Sequence, residues 1–148
     1  MLLKLLIISV VLILLIMLMN AAKKAQVKKA EEVLEKFKDK KVLSVKSNAN
    51  FFGQESLGYT QARGNGVLVI TEEDLYFEMW LPKKTFSVPL KSITSIETPK
   101  SHLGKTKGRP LLKIIFKSEK EEEDSMAWLI GDLEKVKNLL ESLLKKVN

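Results

Sequence analysis

The stretch "GVLVITEEDLYFEMW", Gly66–Trp80, contains two apolar runs separated by a short acidic corner. The runs, Val67–Thr71 and Leu75–Trp80, are rich in β-branched and aromatic side chains, which is typical of strands. The corner, Glu72–Asp74, is polar and short enough for a tight turn. The stretch therefore predicts a β-hairpin.

Further strands are predicted on both sides of the hairpin, because the apolar period is two from Val42 onward. Phe86, Val88 and Leu90 alternate with polar residues or proline. Pro89 places that strand at a sheet edge, since proline cannot donate to a ladder. With the hairpin and this edge strand, four more strands make seven: Val42–Phe52, Ile93–Ile96, Leu111–Phe116 and Met126–Ile130.

Near the C-terminus the apolar period changes to three and four, which predicts an amphipathic helix. Asp132 stands where a helix N-cap is expected. Seven antiparallel strands followed by one helix predict a mainly β fold, a compact barrel or sandwich closed at one end. The apolar positions of the helix are Leu133, Val136, Leu140, Leu143 and Val147.

The N-terminal stretch Leu2–Met19 is apolar apart from Lys4 and Ser9. Continued as a helix to Ala22 it is about 31 Å long, which matches a hydrocarbon core of about 30 Å. A cleaved signal peptide, followed by a secreted structural domain, is the alternative. The one plausible site for signal-peptide cleavage, Asn20–Ala22, has Asn at a position where such sites require a small residue. We therefore expect a retained transmembrane anchor over residues 1–22.

Lysines crowd the C-terminal flank of this span at Lys23, Lys24, Lys28 and Lys29. The other flank has only Lys4 and the terminal amine. The positive-inside bias predicts a single-pass protein of the cell membrane, with everything after the anchor in the cytoplasm.

Residues 23–40 contain neither glycine nor proline. Their apolar stripe is narrow, and it is too short for a confident coiled coil. We expect a basic helical stalk here, and leave open whether it dimerises or lies on anionic lipid. The predicted division is therefore an anchor at 1–22, a juxtamembrane stalk at 23–40 and a β-domain at 41–148. The stripe consists of Ala22, the last residue of the anchor, followed by Val27, Ala30, Val33, Leu34 and Phe37.

Four segments in this order resemble the pleckstrin-homology (PH) superfold, in its GRAM and bacterial PH-like branch: "GVLVITEEDLYFEMW", "FSVPLKSITSIE", "LLKIIF" and "AWLIGDLEKVKNLL". Domains of this branch run "G-x-L-x-(I/L)-T…L-x-F", then "F-x-(I/V)-P-x-x-x-I-x-x-(I/V)", and end in an amphipathic helix. The resemblance covers roughly Val42 to Leu144. It implies a seven-stranded, partly open barrel capped by the C-terminal helix, and it indicates a fold rather than a ligand. It also implies peptide binding at a sheet edge or beside the closing helix, and self-association of anchored members.

No residue set indicates catalysis, a cofactor or a metal centre. The chain has no cysteine and one histidine, His102, in a Gly- and Lys-rich loop where a solvated side chain is expected. The segment Gly104–Arg109 lacks the spacing and context of a phosphate-binding loop. Among the cations only Arg63 and Arg109 are arginines, which argues against base readout of nucleic acid. We therefore expect a non-enzymatic protein.

The basic loop at residues 100–109 is a candidate contact for anionic lipid through Lys100, His102, Lys105, Lys107 and Arg109. The resemblance would instead put a phosphoinositide among the first, third and sixth inter-strand loops. The sixth loop carries carboxylates that would repel such a headgroup: Glu119, Glu121, Glu122, Glu123 and Asp124.

These features favour a membrane-anchored, non-catalytic interaction module that presents its domain to a protein partner, with another membrane protein among the options. A peripheral sensor of anionic lipid, acting through the basic loop, is the alternative. Nucleic acid is not an expected partner, and self-association stays open.

Overall fold

The computed structural model describes residues 1–147. Two helices flank nine strands in the order α1 (Leu2–Leu34), β1 (Val42–Gln54), β2 (Gly64–Thr71), β3 (Asp74–Trp80), β4 (Lys83–Pro89), β5 (Ile93–Glu97), β6 (Ser101–His102), β7 (Lys105–Thr106), β8 (Leu112–Lys117), β9 (Glu123–Leu129) and α2 (Leu133–Val147).

Seven of the strands form one antiparallel sheet in the order β4-β3-β2-β1-β9-β8-β5. The sheet does not close, and β4 and β5 are its two edges. The predicted fold class, a seven-stranded partly open barrel with a C-terminal helix, is confirmed. So is the edge position of the strand that contains Pro89. The two-residue strands β6 and β7 pair only with each other and were not predicted.

The barrel core contains the inward side chains of all seven strands and one face of α2. Phe51, Phe77 and Trp128 are fully buried, with the Trp128 ring centroid 5.7 Å from that of Phe51 and 5.8 Å from that of Phe77. Val136, Leu140 and Leu143 of α2 close the core, as the helical stripe predicted.

The hairpin β2–β3 is apolar on both faces because both faces are covered. Leu68 and Ile70 of β2 point into the barrel core, whereas Val67 and Val69 belong to a second cluster on the outer face. A strand buried on both sides loses the alternation of apolar and polar residues. Gly66 permits the close approach of β3, since a Cβ there would lie 2.1 Å from the Glu78 carbonyl oxygen.

The cover on the outer face is the C-terminal part of α1 together with the 3₁₀ turn Glu35–Phe37 that follows it. Ala30, Val33 and Phe37 are buried against Val67 and Val69. The helical segment expected at residues 23–40 is therefore in contact with the barrel through its C-terminal half. Part of the stripe predicted there is an intramolecular packing surface.

The N-terminal part of α1 is long and apolar enough to cross a membrane, and none of its apolar window is buried against the domain. A signal sequence would have the same properties. The helix continues without interruption from this apolar part into the part that packs on the sheet.

Candidate functional site

A cleft of about 1050 Å³ lies between the two open edges of the sheet. Residues from β4 and β5 form its opposite walls, and neither strand has a second neighbour within residues 1–147. An open strand edge presents backbone N–H and C=O groups without ladder partners. The cleft is therefore bordered by hydrogen-bonding backbone on two sides.

The floor of this edge cleft is apolar and continuous with the barrel core. Phe86 and Val88 of β4 line it opposite Ile93 of β5. The Phe86 ring is half-buried, with its centroid 4.7 Å from that of the buried Phe51. A side chain entering the cleft would therefore meet apolar surface that is held in place by the core.

The rim of the edge cleft is polar and of mixed charge. Ser87 and Thr94 are exposed on its two walls. Lys117 pairs with Glu121 at 3.3 Å, so part of the rim charge is already neutralised. Backbone edges, an apolar floor and a balanced rim suit an extended peptide better than a polyanion. Pro89 indicated the β4 edge in the sequence, but no local pattern indicated that β5 would face it.

The basic loop lies between β5 and β8 and carries the small β6–β7 hairpin. Lys100, Lys107 and Arg109 are exposed. Lys105 is half-buried, and its Nζ donates to the carbonyl oxygen of Gln61 at 2.8 Å. Three of the four predicted cations in this loop are therefore exposed, whereas Lys105 ties the loop to the β1–β2 connection.

The expectation of a solvated His102 is wrong, because its side chain is buried. Its Nε2 lies 3.1 Å from the Gly53 carbonyl oxygen, to which the neutral ring can donate. Burial lowers the pKa of His102, the hydrogen bond to Gly53 opposes that change, and nearby Lys113 adds to it. His102 anchors the basic loop to β1 and does not belong to its exposed surface.

Asp124 was predicted as part of an acidic loop, but it lies in β9 and is buried. Its carboxylate accepts hydrogen bonds from the Gln54 side chain at 2.6 Å and from the Ser56 hydroxyl at 2.6 Å. Burial raises the pKa of Asp124, but these hydrogen bonds outweigh burial and hold it below the usual range. The other four carboxylates are exposed on or beside the β8–β9 turn: Glu119, Glu121, Glu122 and Glu123.

The four juxtamembrane lysines, Lys23, Lys24, Lys28 and Lys29, are exposed on α1. Lys29 reaches the domain, with its Nζ 4.9 Å from the centroid of the Trp80 ring. Trp80 is half-buried on the outer face, beside α1. Sequence alone missed this contact because the two residues are far apart along the chain.

The described residues contain no group of three or more His, Asp or Glu side chains that could hold a metal ion. The buried polar residues Asp124, Ser125 and Glu78 are engaged in hydrogen bonds between structural elements. These buried polar side chains therefore join loops and strands.

No protein-family model and no curated protein matches this sequence. Solved structures match the fold. The C-terminal domain of an unknown protein from Leishmania infantum aligns over 76% of this chain and 92% of its own, at 17% identity and a TM-score of 0.56. The N-terminal PH domain of Vps36 aligns over 73% of this chain and 81% of its own, at 13% identity and a TM-score of 0.51.

The fold is pleckstrin-homology-like. The PDZ-RhoGEF DH/PH protein, in a structure of its complex with activated RhoA, also matches, at 10% identity and a TM-score of 0.53. The match spans 74% of this chain but only 31% of that one. At such identities the similarity establishes the PH-like fold and leaves the ligand to be inferred from this chain's own surfaces.

Proposed function

We propose that this chain is a membrane-anchored, non-catalytic PH-like interaction module of the GRAM-like branch, which holds an extended segment of a protein partner in the edge cleft. The proposal rests on one observation: the open edges of β4 and β5 face each other across an apolar floor. A peptide in this position would gain main-chain hydrogen bonds from an edge and would bury alternate side chains on the floor.

The anchor part of the proposal rests on the exposed apolar helix and on the lysines that follow it. With Lys23, Lys24, Lys28 and Lys29 on the cytoplasmic side, the domain and its cleft face the cytoplasm. A partner in the same membrane would then meet the cleft at high local concentration. The PDZ-RhoGEF protein in complex with RhoA is a PH-like neighbour whose structure includes a protein partner.

The anchor can be tested by measuring the mass of the membrane-extracted protein. Residues 1–22 should still be attached, and protease added outside intact cells should leave the domain whole. A mature form beginning near Lys23, or a domain degraded from outside, would show a cleaved leader or the opposite orientation.

The edge cleft can be tested by photo-crosslinking in native membranes, with a photoreactive amino acid at Ser87 or at Thr94. Lys135, exposed on α2, is the matched control position. We expect the same partner segment to be captured from both cleft positions and not from Lys135. Equal capture at all three positions, or adducts to lipid alone, would exclude the cleft as the peptide site.

A second candidate function, contact with anionic lipid, is favoured by the exposure of Lys100, Lys107 and Arg109 on one loop. Each lysine near an anionic surface contributes about 1 kcal/mol. A chain beginning at Lys23 should then bind anionic vesicles in a salt-dependent way. Changing these three residues to Gln should weaken binding markedly, whereas Lys145→Gln with Lys146→Gln near the C-terminus should not. Binding that is unaffected by the loop change would exclude the loop.

A further inference from the structure

The two strands that border the edge cleft contribute unequally to it. β4 lines the cleft along Phe86–Pro89, whereas β5 lines it only with Ile93 and Thr94. β5 is also irregular at Thr94, because its register with β8 shifts between Ile93 and Ser95. The Thr94 hydroxyl donates to the Ile115 carbonyl oxygen at 3.2 Å. A bulge interrupts the regular spacing of backbone groups along an edge, so β5 is a poor template for a further strand.

The backbone of β4 is regular, and the direction of its N–H and C=O groups follows from two contacts. The Leu90 N–H donates to the Glu73 carbonyl oxygen at 2.7 Å, so it points toward β3. Alternate residues of a strand direct their backbone groups to the same side, so the even-numbered residues of β4 also face β3. Glu78, opposite Thr85 in the register, directs its carbonyl toward β2, since a Cβ on Gly66 would lie 2.1 Å from that oxygen. Both contacts place the backbone groups of the odd-numbered residues on the open edge of β4.

The open edge of β4 therefore presents the N–H and C=O groups of Thr85 and Ser87, which have no ladder partner within residues 1–147. An antiparallel strand added here would exchange both hydrogen bonds with each of these residues. Pro89 ends the edge with a carbonyl acceptor and no N–H donor. Ser118 also lines the cleft, and its buried hydroxyl has no hydrogen-bond partner among the described residues. That hydroxyl is available to the far side of an added strand.

The side chains of β4 on the barrel side are Lys84, Phe86 and Val88, since Lys84 is opposite the buried Met79 in the register. Residues of an added antiparallel strand that lie opposite these three form non-hydrogen-bonded pairs, in which side chains approach most closely. Phe86 and Val88 favour apolar neighbours across the strands. Lys84 is exposed, and opposite charges stabilise a cross-strand pair, so it favours a carboxylate.

We propose that the partner segment adds to β4 as an antiparallel strand of the form Φ-x-Φ-x-(D/E), where Φ is apolar and x is any residue except proline. The two apolar residues lie opposite Val88 and Phe86, and the acidic residue lies opposite Lys84. Proline is excluded at x because these residues donate to the carbonyl oxygens of Ser87 and Thr85. This inference rests on the proposed function, and it defines the edge, the direction and the side chains of the segment in the same cleft.

The sequence pattern can be tested with a displayed library of random peptides. The library is selected on the full chain in lipid nanodiscs, after depletion on empty nanodiscs. Enriched peptides should share the pattern, and exchange of the acidic residue for Lys should weaken binding about fivefold. In a selection on Lys84→Glu the last position should become basic. Lys100→Glu, on the basic loop, is the matched control and should leave that position acidic.

The use of the β4 edge can be tested at Ser87. Ser87→Pro removes an outward N–H and no bond of the β3–β4 ladder, so an enriched peptide should bind about tenfold more weakly to a folded domain. Ser87→Ala keeps the N–H and should bind like the unchanged chain. If Ser87→Pro does not fold, hydrogen exchange in the unchanged chain gives the answer. The amides of Thr85 and Ser87 should exchange quickly alone and slowly with peptide, whereas those of Phe86 and Val88 should be protected in both states.

The outcomes separate this proposal from the proposed function. Enriched peptides that crosslink to positions 87 and 94, yet tolerate proline at x and leave the Thr85 and Ser87 amides unprotected, would overturn addition to β4 and keep the cleft as the peptide site. Enrichment of the reversed pattern, (D/E)-x-Φ-x-Φ, would overturn the antiparallel direction. A selection with no enrichment over empty nanodiscs would overturn both proposals.

Discussion

Glu78 lies on the outer face of β3 and is buried beneath α1, where an isolated strand would expose it to water. Its carboxylate accepts hydrogen bonds from the Lys36 ammonium and, at 2.7 Å, from the Tyr76 hydroxyl. Lys83 is 3.7 Å away. Burial raises the pKa of Glu78, but these partners outweigh it and hold the pKa below the usual range. One side chain thus joins the juxtamembrane helix to the barrel.

Glu78→Gln should lower the free energy of unfolding by about 1–3 kcal/mol at neutral pH, because hydrogen bonds to a charged group are lost. The folded pKa is depressed, so the stabilisation is complete above the unfolded value of about 4.3 and is lost as pH falls through the lower folded value. Urea unfolding of a chain beginning at Lys23 measures this at pH 7 and in acid. Glu119→Gln, on the exposed turn, should change stability by less than about 0.5 kcal/mol. A Glu78 effect that persists undiminished in strong acid would contradict this assignment.

His102 should make stability depend on pH in a different range. Because its folded pKa is lowered, the unfolded chain takes up a proton more readily once pH falls below about 6.5. The melting temperature should therefore decrease from about pH 7.5 to about pH 5.5, and decrease less in His102→Gln, which keeps a donor for Gly53. Parallel pH profiles for the two proteins would show that His102 is not buried in its neutral form.

At the scale of elements, α1 combines two kinds of surface in one helix. Its apolar N-terminal part is exposed all round, whereas Ala30 and Val33, with Phe37 in the turn that follows the helix, form a narrow stripe against β2 and β3. A stripe of this kind is ambiguous in sequence, because a partner helix, a lipid surface or a sheet could cover it. In this protein the stripe is covered by the sheet. Val67 and Val69 on the outer face of β2 are apolar, and they are buried against the same stripe.

Two valines on α1 provide a matched test of this packing. Val33 is 3% exposed and Val27 is 53% exposed. Val33→Ala should destabilise the chain beginning at Lys23 by about 2 kcal/mol, through lost apolar burial and a small cavity. Val27→Ala should change the free energy of unfolding by less than about 0.5 kcal/mol. Equal effects in urea unfolding would mean that the helix is not packed on the sheet in solution.

At the scale of the whole molecule, the barrel has one core closed by α2 and a second apolar surface closed by α1. The domain boundary expected at residue 41 divides the second cluster, since Phe37 lies before it and Val67 after it. A stable unit is better defined from about residue 23, which keeps the whole contact while leaving out the membrane span.

A chain of residues 41–148 should therefore be less stable than one of residues 23–148. Removal of α1 exposes Val67, Val69 and part of Trp80, and exposed apolar surface costs about 25 cal/mol per Å². The shorter chain should melt at a lower temperature, bind more of a hydrophobic dye and aggregate sooner. Coincident melting curves would show that the barrel does not need the helix.

The sequence by itself determined the local elements. The hairpin at Gly66–Trp80, the edge strand at Pro89 and the closing helix with Leu140 are encoded in period, turn residues and proline chemistry. Each of these signals involves only a few residues that are close together in the sequence. It can therefore be recognised without knowing which other parts of the chain pack against them. Their order gives the seven strands of the main sheet and the closing helix, and the resemblance of four segments to the pleckstrin-homology superfold implied the fold class.

Tertiary structure decided which surfaces are covered and which meet across space. Trp80 lies beside α1, His102 is buried against Gly53, and Asp124 binds Gln54, although nothing near any of them in sequence indicates it. The edge cleft likewise exists only because the curved sheet brings β4 opposite β5. Burial depends on contacts between residues far apart in the chain, and the local period of a strand or helix contains no information about those contacts.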